Sequence, residues 1–288
     1  MKKTKSLFIV SSGRSGTQML EKVFNSYDSV EMNHEYLCNY VQPLAVKFYL
    51  GLIDKNTVKN KLEELHGASI YYSEKSLWGD SSNKLSWLIG PLNELFPDAK
   101  FIHLIRDGRK VVNSFYNKLG NECYDDKSTS ILQSWVEKPN ILLEPPPEKK
   151  YWWNVVKKES PFYKKFNKYN QFQKICYHWN EINKVIDRDL INIDKKRKLV
   201  LRLEDLVTDE ETLKTMVKFV GLEYKSELFE MLKTPHNVNI PINFSFTKIE
   251  KNQFYNIAED LMKKYGYNKN CDYKVDYHSD KPINYTGG

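Results

Sequence analysis

The amino-acid sequence predicts an α/β domain in which helices flank a central parallel sheet. Three short runs, residues 6–10, 100–105 and 198–203, are almost continuously apolar and contain β-branched residues. Such runs are typical of parallel strands that are covered on both faces. Segments with helical periodicity separate the three runs, and this alternation favours a doubly wound sheet with ligands at the carboxyl ends of its strands.

The predicted helices alternate with the strands along the whole chain. They cover residues 16–26, 54–66, 82–95, 107–119, 170–190, 209–220 and 248–264. The sequence contains no internal repeat, and 288 residues suffice for one large α/β unit. We therefore expect a single domain over residues 1–288.

Residues 120–168 interrupt this alternation. The stretch KPNILLEPPPEKKYWWNVV contains three consecutive prolines followed by the pair Trp152–Trp153. One interpretation is an extended surface insertion whose aromatic residues pack against the domain. The other is a lid or a wall of a binding site, since long loops in compact domains are often functional.

The charge and the cysteines limit the classes of function. The net charge of +7 comes from 44 basic and 37 acidic residues, and it suits an anionic ligand as well as nucleic acid. Aromatic residues can stack on bases, but no pattern of a known nucleic-acid-binding module is present, so we expect no nucleic-acid partner. The four cysteines form no CxxC pair, which predicts neither a disulfide framework nor a metal site.

The N-terminus and the hydropathy indicate a cytoplasmic protein. Lysines precede the apolar run Leu7–Val10, but this run is far shorter than that of a signal peptide. The sequence has no apolar segment of membrane-spanning length, so we expect no membrane partner.

The stretch SSGRSGT follows the first predicted strand and precedes a helix, the context in which a glycine-rich loop binds phosphate. Gly13 and Gly16 permit a tight turn, and the N–H groups at the start of a helix attract anions. Ser15 and Thr17 add hydroxyl donors, and Arg14 adds a planar guanidinium group suited to oxyanions. A loop that binds nucleoside triphosphates would carry lysine directly after Gly16, where this sequence has Thr17.

The stretch RDGRKVVNSFYNK follows the second predicted strand. Arg106 stands at the end of that strand, Ser114 lies eight residues later, and Lys118 lies one helical turn further on the same face. These three donors can converge on a second phosphate. Two separate anion sites imply a ligand that is phosphorylated at two places.

With these motifs the sequence resembles the sulfotransferase family, whose members bind 3'-phosphoadenosine 5'-phosphosulfate (PAPS). SSGRSGT resembles the 5'-phosphosulfate loop of that family, and RDGRKVVNS resembles its 3'-phosphate motif. Other stretches that resemble the family are FPDAKFIHLIRD, CYHWNEI and VLRLEDLVTD. The resemblance ends near LMKKYGY. It implies the sulfotransferase variant of the P-loop nucleotide hydrolase fold, and it leaves residues 120–168 unmatched.

The resemblance also implies which residues bind PAPS. The residues that would hold its 5'-phosphosulfate end are Arg14, Ser15, Gly16, Thr17 and Gln18. Those that would hold its 3'-phosphate are Arg106, Ser114 and Lys118. The adenine would lie against the stretch NIPINFSFTK, to which no exact contact is transferred, and a metal ion is not expected.

The transfer of a sulfuryl group still requires a general base near the acceptor. The motifs RSGT and RDGR are most similar to those of the tyrosylprotein and bacterial branch. In that branch a glutamate lies twenty-one residues after the arginine of the loop. From Arg14 this count reaches Glu35, which we take as the base. His34 is its rival, because other branches use histidine and its ordinary pKa lies near neutrality. A third interpretation of NHE makes Asn33 the N-cap of a helix.

One departure from the family concerns the lysine that stabilises the bridging oxygen of the donor. In the corresponding stretch, WGDSSNK, serine stands where lysine is expected. Either Arg14 stabilises that oxygen alone, or Lys84 or Lys75 does so from a shifted position.

The sequence therefore predicts a PAPS-dependent sulfotransferase that acts on a hydroxyl or amine of a small-molecule acceptor. A cytoplasmic chain rich in Lys, Asn and Tyr suggests a bacterial enzyme that modifies a natural product. The aromatic residues of 120–168, with Glu144, Glu148 and Asp125–Asp126, suit a flat or cationic acceptor such as a nitrogen-rich alkaloid toxin. One alternative is a P-loop nucleotide kinase, which the missing lysine disfavours. The second alternative is a non-catalytic nucleic-acid-binding protein that uses the positive charge of the chain.

Overall fold

The structure is a computed structural model. It describes residues 4–118, 120, 122–124, 127–138, 143–145, 152–233 and 246–267.

Five parallel strands form one sheet within the described residues. They are β1 (Lys5–Val10), β2 (Val30–His34), β3 (Leu77–Ser81), β4 (Lys100–Ile105) and β5 (Lys198–Arg202). Their order across the sheet is β2-β3-β1-β4-β5. The α/β class with a central parallel sheet is thereby confirmed.

The strand order determines where a ligand can bind. β1 lies at the centre, with Ile9 opposite Ser81 of β3 and Val10 opposite His103 of β4. The chain passes from β3 on one side of β1 to β4 on its other side. In open α/β sheets, the crevice at such a change of direction lies at the carboxyl ends of the strands. The loops that follow β1 and β4 therefore share one crevice.

Helices cover both faces of the sheet. Within the described residues they are α1 (Thr17–Asn25), α2 (Cys38–Tyr49), α3 (Lys55–Leu62), α4 (Ala68–Tyr72), α5 (Ile89–Leu95), α6 (Gly108–Lys118), α7 (Lys127–Glu137), α8 (Tyr163–Phe166), α9 (Gln171–Leu190), α10 (Leu203–Thr208), α11 (Glu210–Val220), α12 (Glu227–Lys233) and α13 (Lys248–Lys264). Capping boxes fix the starts of α9 and α13, at Asn170 with Gln173 and at Thr247 with Glu250.

Two hydrophobic clusters sandwich the sheet, because alternate residues of each strand point to opposite faces. Phe8 and Val10 of β1 face a cluster built with α2, α3, α5 and α9. Leu7 and Ile9 face the other cluster, built with α1, α11 and α12. A third cluster lies between α6, α9 and α13, and it also contains Trp152 and Trp153. These two tryptophans are buried against the domain.

The three predicted strands are confirmed, and α1, α6, α9, α11 and α13 lie where helices are predicted. The helix predicted over 82–95 is wrong in its first part, since residues 85–87 form one 3₁₀ turn and α5 begins at Ile89. The interpretation of Asn33 as a helix cap is also wrong. Asn33 lies within β2, where its side-chain amide donates to the carbonyl of Gly79 at 3.2 Å.

The strands β2 and β3 are not predicted from the sequence. Their residues, VEMNH and LWGDS, include polar side chains that form hydrogen bonds within the fold. Within the described residues, no helix is both long enough and apolar enough to cross a membrane.

Candidate active site

The loop between β1 and α1 turns through backbone conformations that favour glycine. Gly13 and Gly16 have φ of +81° and +86°, and Arg14 between them has φ of +54°. A Cβ atom on Gly13 would stand 2.8 Å from Nδ2 of Asn83, and one on Gly16 would stand 2.9 Å from Cδ1 of Leu203. Both glycines are therefore needed for conformation and for space.

Hydrogen bonds from neighbouring elements hold this loop. The Ser11 N–H donates to Oγ of Ser86 at 3.0 Å, and the same hydroxyl donates to the Ser11 carbonyl at 2.8 Å. His178 of α9 contacts the Ser12 carbonyl through Nε2 at 3.2 Å. The hydroxyl of Ser15 donates to the carbonyl of Gly13 at 3.0 Å, so it stabilises the loop from within.

Thr17 and Gln18 form the first turn of α1. Thr17 is buried, and its carbonyl accepts a hydrogen bond from the hydroxyl of Ser81 at 3.1 Å. Gln18 is exposed. The start of α1 thus lies at the carboxyl edge of the sheet, where the helix dipole favours an anion.

The two predicted anion-binding stretches meet in the crevice. Nε of Arg14 donates to Oγ of Ser114 on α6 at 2.8 Å. Arg106, directly after β4, donates from a terminal guanidinium nitrogen to the carbonyl of Arg14 at 2.6 Å. The neighbouring positions of β1 and β4 bring these three residues together across about a hundred residues of sequence.

Arg106 also has a donor that fits a phosphate. Its Nε atom is buried and has no hydrogen-bond partner within the described part of the chain. Since buried polar atoms are almost always paired, this donor fits an anion that accepts from it. The side chain of Lys118, the third predicted contact, lies outside the described residues.

Two other charged residues of RDGR have a structural role. Asp107 and Arg109 form a buried ion pair at 2.5 Å at the start of α6. The Arg109 N–H donates to Oδ1 of Asp107 at 2.9 Å, so this carboxylate also caps the helix. The ion pair therefore fixes the turn that follows Arg106.

Glu35 and His34 lie at the carboxyl end of β2, two strands away from β1. Glu35 is half-buried and adopts φ of +54°, and Leu37 adopts φ of +48°. Left-handed backbone at residues other than glycine costs about 1–3 kcal/mol each, and such residues cluster at functional sites. His34 contacts the carbonyl of Ser81 through Nδ1 at 3.0 Å, and the Glu35 N–H donates to the same carbonyl at 3.2 Å.

A buried carboxylate anchors the turn that carries Glu35. Oδ1 of Asp80 accepts from the Tyr36 N–H at 3.2 Å, and its Oδ2 pairs with Nε2 of His66 at 3.3 Å. Asp80 and His66 are both fully buried. Burial raises the pKa of the Asp80 carboxyl, and the hydrogen bonds from His66 and Tyr36 offset part of this rise.

The structure separates the two lysines that the sequence offers for stabilising the donor. Lys75 precedes β3, at the opposite edge of the sheet from the loop, and its ammonium donates to the carbonyl of Asp28 at 2.8 Å. Lys84 follows β3 at the carboxyl edge and is buried. Burial lowers the pKa of the Lys84 ammonium, and attraction to the Glu35 carboxylate opposes this effect. Lys84 is thus the lysine near the candidate base.

Four residues of this region are not predicted from the sequence: His66, Asp80, Asn83 and Ser86. Recognition of LWGDS as a strand would have placed DSSNKLS at the carboxyl edge of the sheet, beside the loop after β1. Within the described residues, no cluster of histidine, cysteine, aspartate and glutamate that could hold a metal ion is present.

The fold is a parallel α/β fold with a glycine-rich loop between its first strand and its first helix. Residues 6–140 match the model of the sulfotransferase family, which confirms the resemblance seen in the motifs. Over these residues, which are slightly less than half of the chain, the sequence is similar to that family.

Solved sulfotransferases are among the structures similar to this chain. One from Mycobacterium avium has a TM-score of 0.54 at 10% identity, over 93% of this chain and 78% of that chain. One from Alicyclobacillus acidocaldarius has a TM-score of 0.49 at 11% identity, over 90% and 95%. A sulfotransferase domain from the curacin biosynthetic pathway has a TM-score of 0.47 at 16% identity, over 91% and 98%. No curated protein matches the sequence.

Proposed function

We propose that this protein transfers the sulfuryl group of PAPS to a hydroxyl or amine of a small-molecule acceptor. The observation that carries this proposal is the convergence of Arg14, Arg106 and Ser114 in the crevice beside the start of α1. Such a crevice suits a ligand with two anionic groups, and Thr17 stands where a triphosphate-binding loop would carry lysine.

Different residues of the crevice bind the two ends of the donor. The loop from Arg14 to Gln18 and the first turn of α1 hold the 5'-phosphosulfate end. Arg106, through its unpaired Nε, and Ser114 hold the 3'-phosphate. Lys118 is proposed as the third contact of this phosphate.

The transfer step is an in-line displacement. The Glu35 carboxylate accepts the proton of the acceptor O–H or N–H, and the freed electron pair forms a bond to sulfur. The bond between sulfur and the bridging oxygen of the 5'-phosphate breaks, which leaves adenosine 3',5'-bisphosphate. Lys84 and Arg14 stabilise the negative charge that develops on that oxygen. His34 is the alternative base.

The proposed acceptor is a small natural product, and the proposed setting is the bacterial cytoplasm. Trp152 and Trp153 are both buried, and the ammonium of Lys84 lies 5.9 Å from the ring centre of Trp153. We therefore propose that residues 120–168 contribute a wall of the acceptor site.

Glu144, one of the acidic residues suggested for a cationic acceptor, pairs with Lys47 at 2.5 Å. The others, Glu148 and Asp125–Asp126, lie outside the described residues.

Titration calorimetry tests the proposal against a nucleotide kinase. Adenosine 3',5'-bisphosphate should bind at least about tenfold more tightly than 5'-AMP or ATP, because only its 3'-phosphate pairs with Arg106. Transfer of ³⁵S from labelled PAPS should continue in excess EDTA. Equal affinity for the bisphosphate and 5'-AMP would contradict the proposal. Tighter binding of ATP, with turnover that requires Mg²⁺, would support the kinase.

A further inference from the structure

The peptide group between Arg106 and Asp107 is held at both of its polar atoms. The Arg106 carbonyl accepts a hydrogen bond from Nε1 of Trp179 at 3.3 Å, and the Asp107 N–H donates to Oε1 of Glu204 at 3.2 Å. Trp179 belongs to α9 and Glu204 to α10. Because a peptide group is planar, these two side chains fix the orientation of the backbone that directly follows the Cα atom of Arg106.

The register of the sheet brings Glu204 to this place. Ile105 at the end of β4 lies opposite Arg202 at the end of β5, so the residues that follow these two strands are neighbours. Leu203, which precedes Glu204, lies closely against Gly16 of the loop after β1. The start of α10 therefore contacts both stretches that are proposed to bind the donor.

Glu204 completes the cap of α6 from another element. The helix begins at Gly108, so Asp107 is its N-cap residue, and the N–H of Asp107 needs an acceptor. In a capping box, a glutamate or glutamine at the third helical position supplies this acceptor. The third position of α6 is Lys110, whose ammonium only donates. The carboxylate of Glu204 accepts the hydrogen bond instead.

Tyr267 orients the carboxylate of Glu204. Its hydroxyl donates to Oε2 of Glu204 at 2.7 Å, while Oε1 accepts from Asp107. The Tyr267 ring is buried, and the Arg202 guanidinium lies 5.6 Å from its ring centre. Burial and the nearby Glu204 carboxylate raise the pKa of the Tyr267 phenol, so the hydroxyl keeps its proton. Hydrogen bonds thus connect Tyr267 through Glu204 to the peptide group that follows Arg106.

A second tyrosine at the end of α13 makes a similar hydrogen bond to a different element. The hydroxyl of Tyr265 donates to Oδ2 of Asp187 at 2.9 Å. The same carboxylate oxygen pairs with the ammonium of Lys264 at 2.6 Å. The bond of Tyr265 therefore joins the end of α13 to α9, whereas the bond of Tyr267 joins it to α10.

We propose that Glu204, oriented by Tyr267, is a positioning residue for the 3'-phosphate of the donor, because it holds the peptide group that carries the Arg106 side chain. The proposal rests on the proposed function, in which Nε of Arg106 pairs with that phosphate. A carboxylate repels a phosphate, so Glu204 acts through Arg106 and not by contact with the nucleotide. A hydrogen bond weakens steeply when its angle changes, so a rotation of this peptide group weakens the contact.

Selectivity for the 3'-phosphate is the readout, because a merely structural role would not change it. Titration calorimetry gives the affinities for adenosine 3',5'-bisphosphate and for 5'-AMP, and their ratio isolates the 3'-phosphate. Glu204→Ala should lower this ratio about tenfold, by weakening the bisphosphate alone. Glu204→Gln should restore it to within about twofold. Its amide oxygen still accepts from Asp107, and its NH₂ group can donate to the Tyr267 oxygen.

The two tyrosines supply a matched control. Tyr267→Phe removes the hydroxyl that orients Glu204 and should lower the ratio about fivefold. Tyr265→Phe removes an equivalent bond to Asp187, keeps the ring beside Trp179 and should leave the ratio unchanged. Urea unfolding should show a similar loss of stability in both variants, so the difference in ratio reports on Glu204 and not on stability. Tyr267→Phe decides the question if Glu204→Ala does not fold.

A double variant tests whether Glu204 acts through Arg106. When Arg106→Ala is already present, Glu204→Ala should weaken binding of the bisphosphate no further, because the two changes remove one shared contact. Independent contributions would instead add, and the double variant would then bind about tenfold more weakly than Arg106→Ala alone.

Three results would overturn the proposal. A ratio that Glu204→Ala and Tyr267→Phe leave unchanged would mean that Arg106 needs no support from α10. An equal fall in Tyr265→Phe and Tyr267→Phe would assign the effect to the packing of α13. Additive losses in the double variant would mean that Glu204 does not act through Arg106. Failure of the donor assignment gives a different result, since the unmodified protein itself would then bind the bisphosphate no more tightly than 5'-AMP.

Discussion

Arg106 makes two kinds of contact at the mouth of the crevice. One guanidinium nitrogen donates to the Arg14 carbonyl, and Nε is proposed to hold the 3'-phosphate. Arg106→Ala should therefore weaken binding of adenosine 3',5'-bisphosphate by about 2–4 kcal/mol in calorimetry, as expected for a charge-assisted contact.

Binding of 5'-AMP to the same variant is the control, because this nucleotide has no 3'-phosphate. Its affinity should change little. An equal loss for both nucleotides would show that Arg106 only supports the loop through Arg14.

Glu35 is proposed to accept the proton of the acceptor. A positioned general base contributes about 10²–10⁴-fold to a rate, so Glu35→Gln should lower kcat by this factor. Affinity for adenosine 3',5'-bisphosphate should barely change, since Glu35 is assigned to neither phosphate.

His34→Ala is the matched control for the base. Nδ1 of His34 contacts the carbonyl of Ser81, so the ring is held against β3. The variant should keep most of its turnover. If His34→Ala loses turnover while Glu35→Gln stays active, then His34 and not Glu35 is the base.

Lys84 is proposed to stabilise the leaving oxygen. Removal of one such donor lowers kcat by about 10²–10³-fold in other enzymes, and we expect a decrease of this order for Lys84→Met. Lys75→Met should turn over normally, because Lys75 lies at the opposite edge of the sheet. Full activity of Lys84→Met would assign the stabilisation to Arg14 alone.

At the scale of elements, β2 and β3 together determine the position of Glu35. The turn after β2 holds left-handed backbone at Glu35 and Leu37, and the buried carboxylate of Asp80 in β3 accepts the N–H of Tyr36 between them. We therefore expect Asp80 to act on the proposed reaction by holding this turn in place.

Asp80→Ala should lower kcat by about 10²-fold, because a displacement of about 1 Å in a catalytic group can cost this much. Asp80→Asn should restore most of the rate, since its amide oxygen still accepts from Tyr36. Affinity for the bisphosphate should stay the same in both. Unfolding in urea separates this effect from stability, and a folded Asp80→Ala enzyme with normal kcat would contradict the positioning role.

At the scale of the whole molecule, His178 contacts both the loop after β1 and the aromatic residues of the core. It packs against Trp153 with ring centres 5.4 Å apart and against Phe115 at 5.6 Å. Burial lowers its pKa to about 4 from 6.5. The unfolded chain therefore binds a proton at this residue below pH 6.5, whereas the folded chain does so only near pH 4.

The stability contributed by neutral His178 is complete above pH 6.5 and is lost as the pH falls to 4. The loss should be roughly 3 kcal/mol, at 1.36 kcal/mol for each pH unit. Urea unfolding of the unmodified protein and of His178→Gln across this pH range measures the loss. The difference between their free energies of unfolding should change by this amount. Parallel loss of stability in both proteins would show that His178 does not titrate in this way.

Sequence periodicity predicts those strands and helices whose pattern of apolar and polar residues is visible in the local sequence. β1, β4 and β5 are apolar runs, and α9 and α13 have amphipathic patterns that begin at capping boxes. By contrast, β2 and β3 carry the polar residues Glu31, Asn33 and Asp80. Glu31 and Asn33 are half-buried and Asp80 is fully buried. Their hydrogen-bond partners lie far away in the sequence, so nothing in the local sequence shows that these side chains are paired inside the fold.

The sequence by itself determined the parallel α/β class, the glycine-rich loop, the residues assigned to the donor and the resemblance to sulfotransferases. Each of these depends on residue type and short spacing, which local backbone preferences and hydrophobic periodicity fix. Only the tertiary structure decided that Arg14 contacts Ser114 and that Lys84 and not Lys75 lies near Glu35. These relations join residues far apart in the chain, and the order of strands in the sheet determines which of them meet.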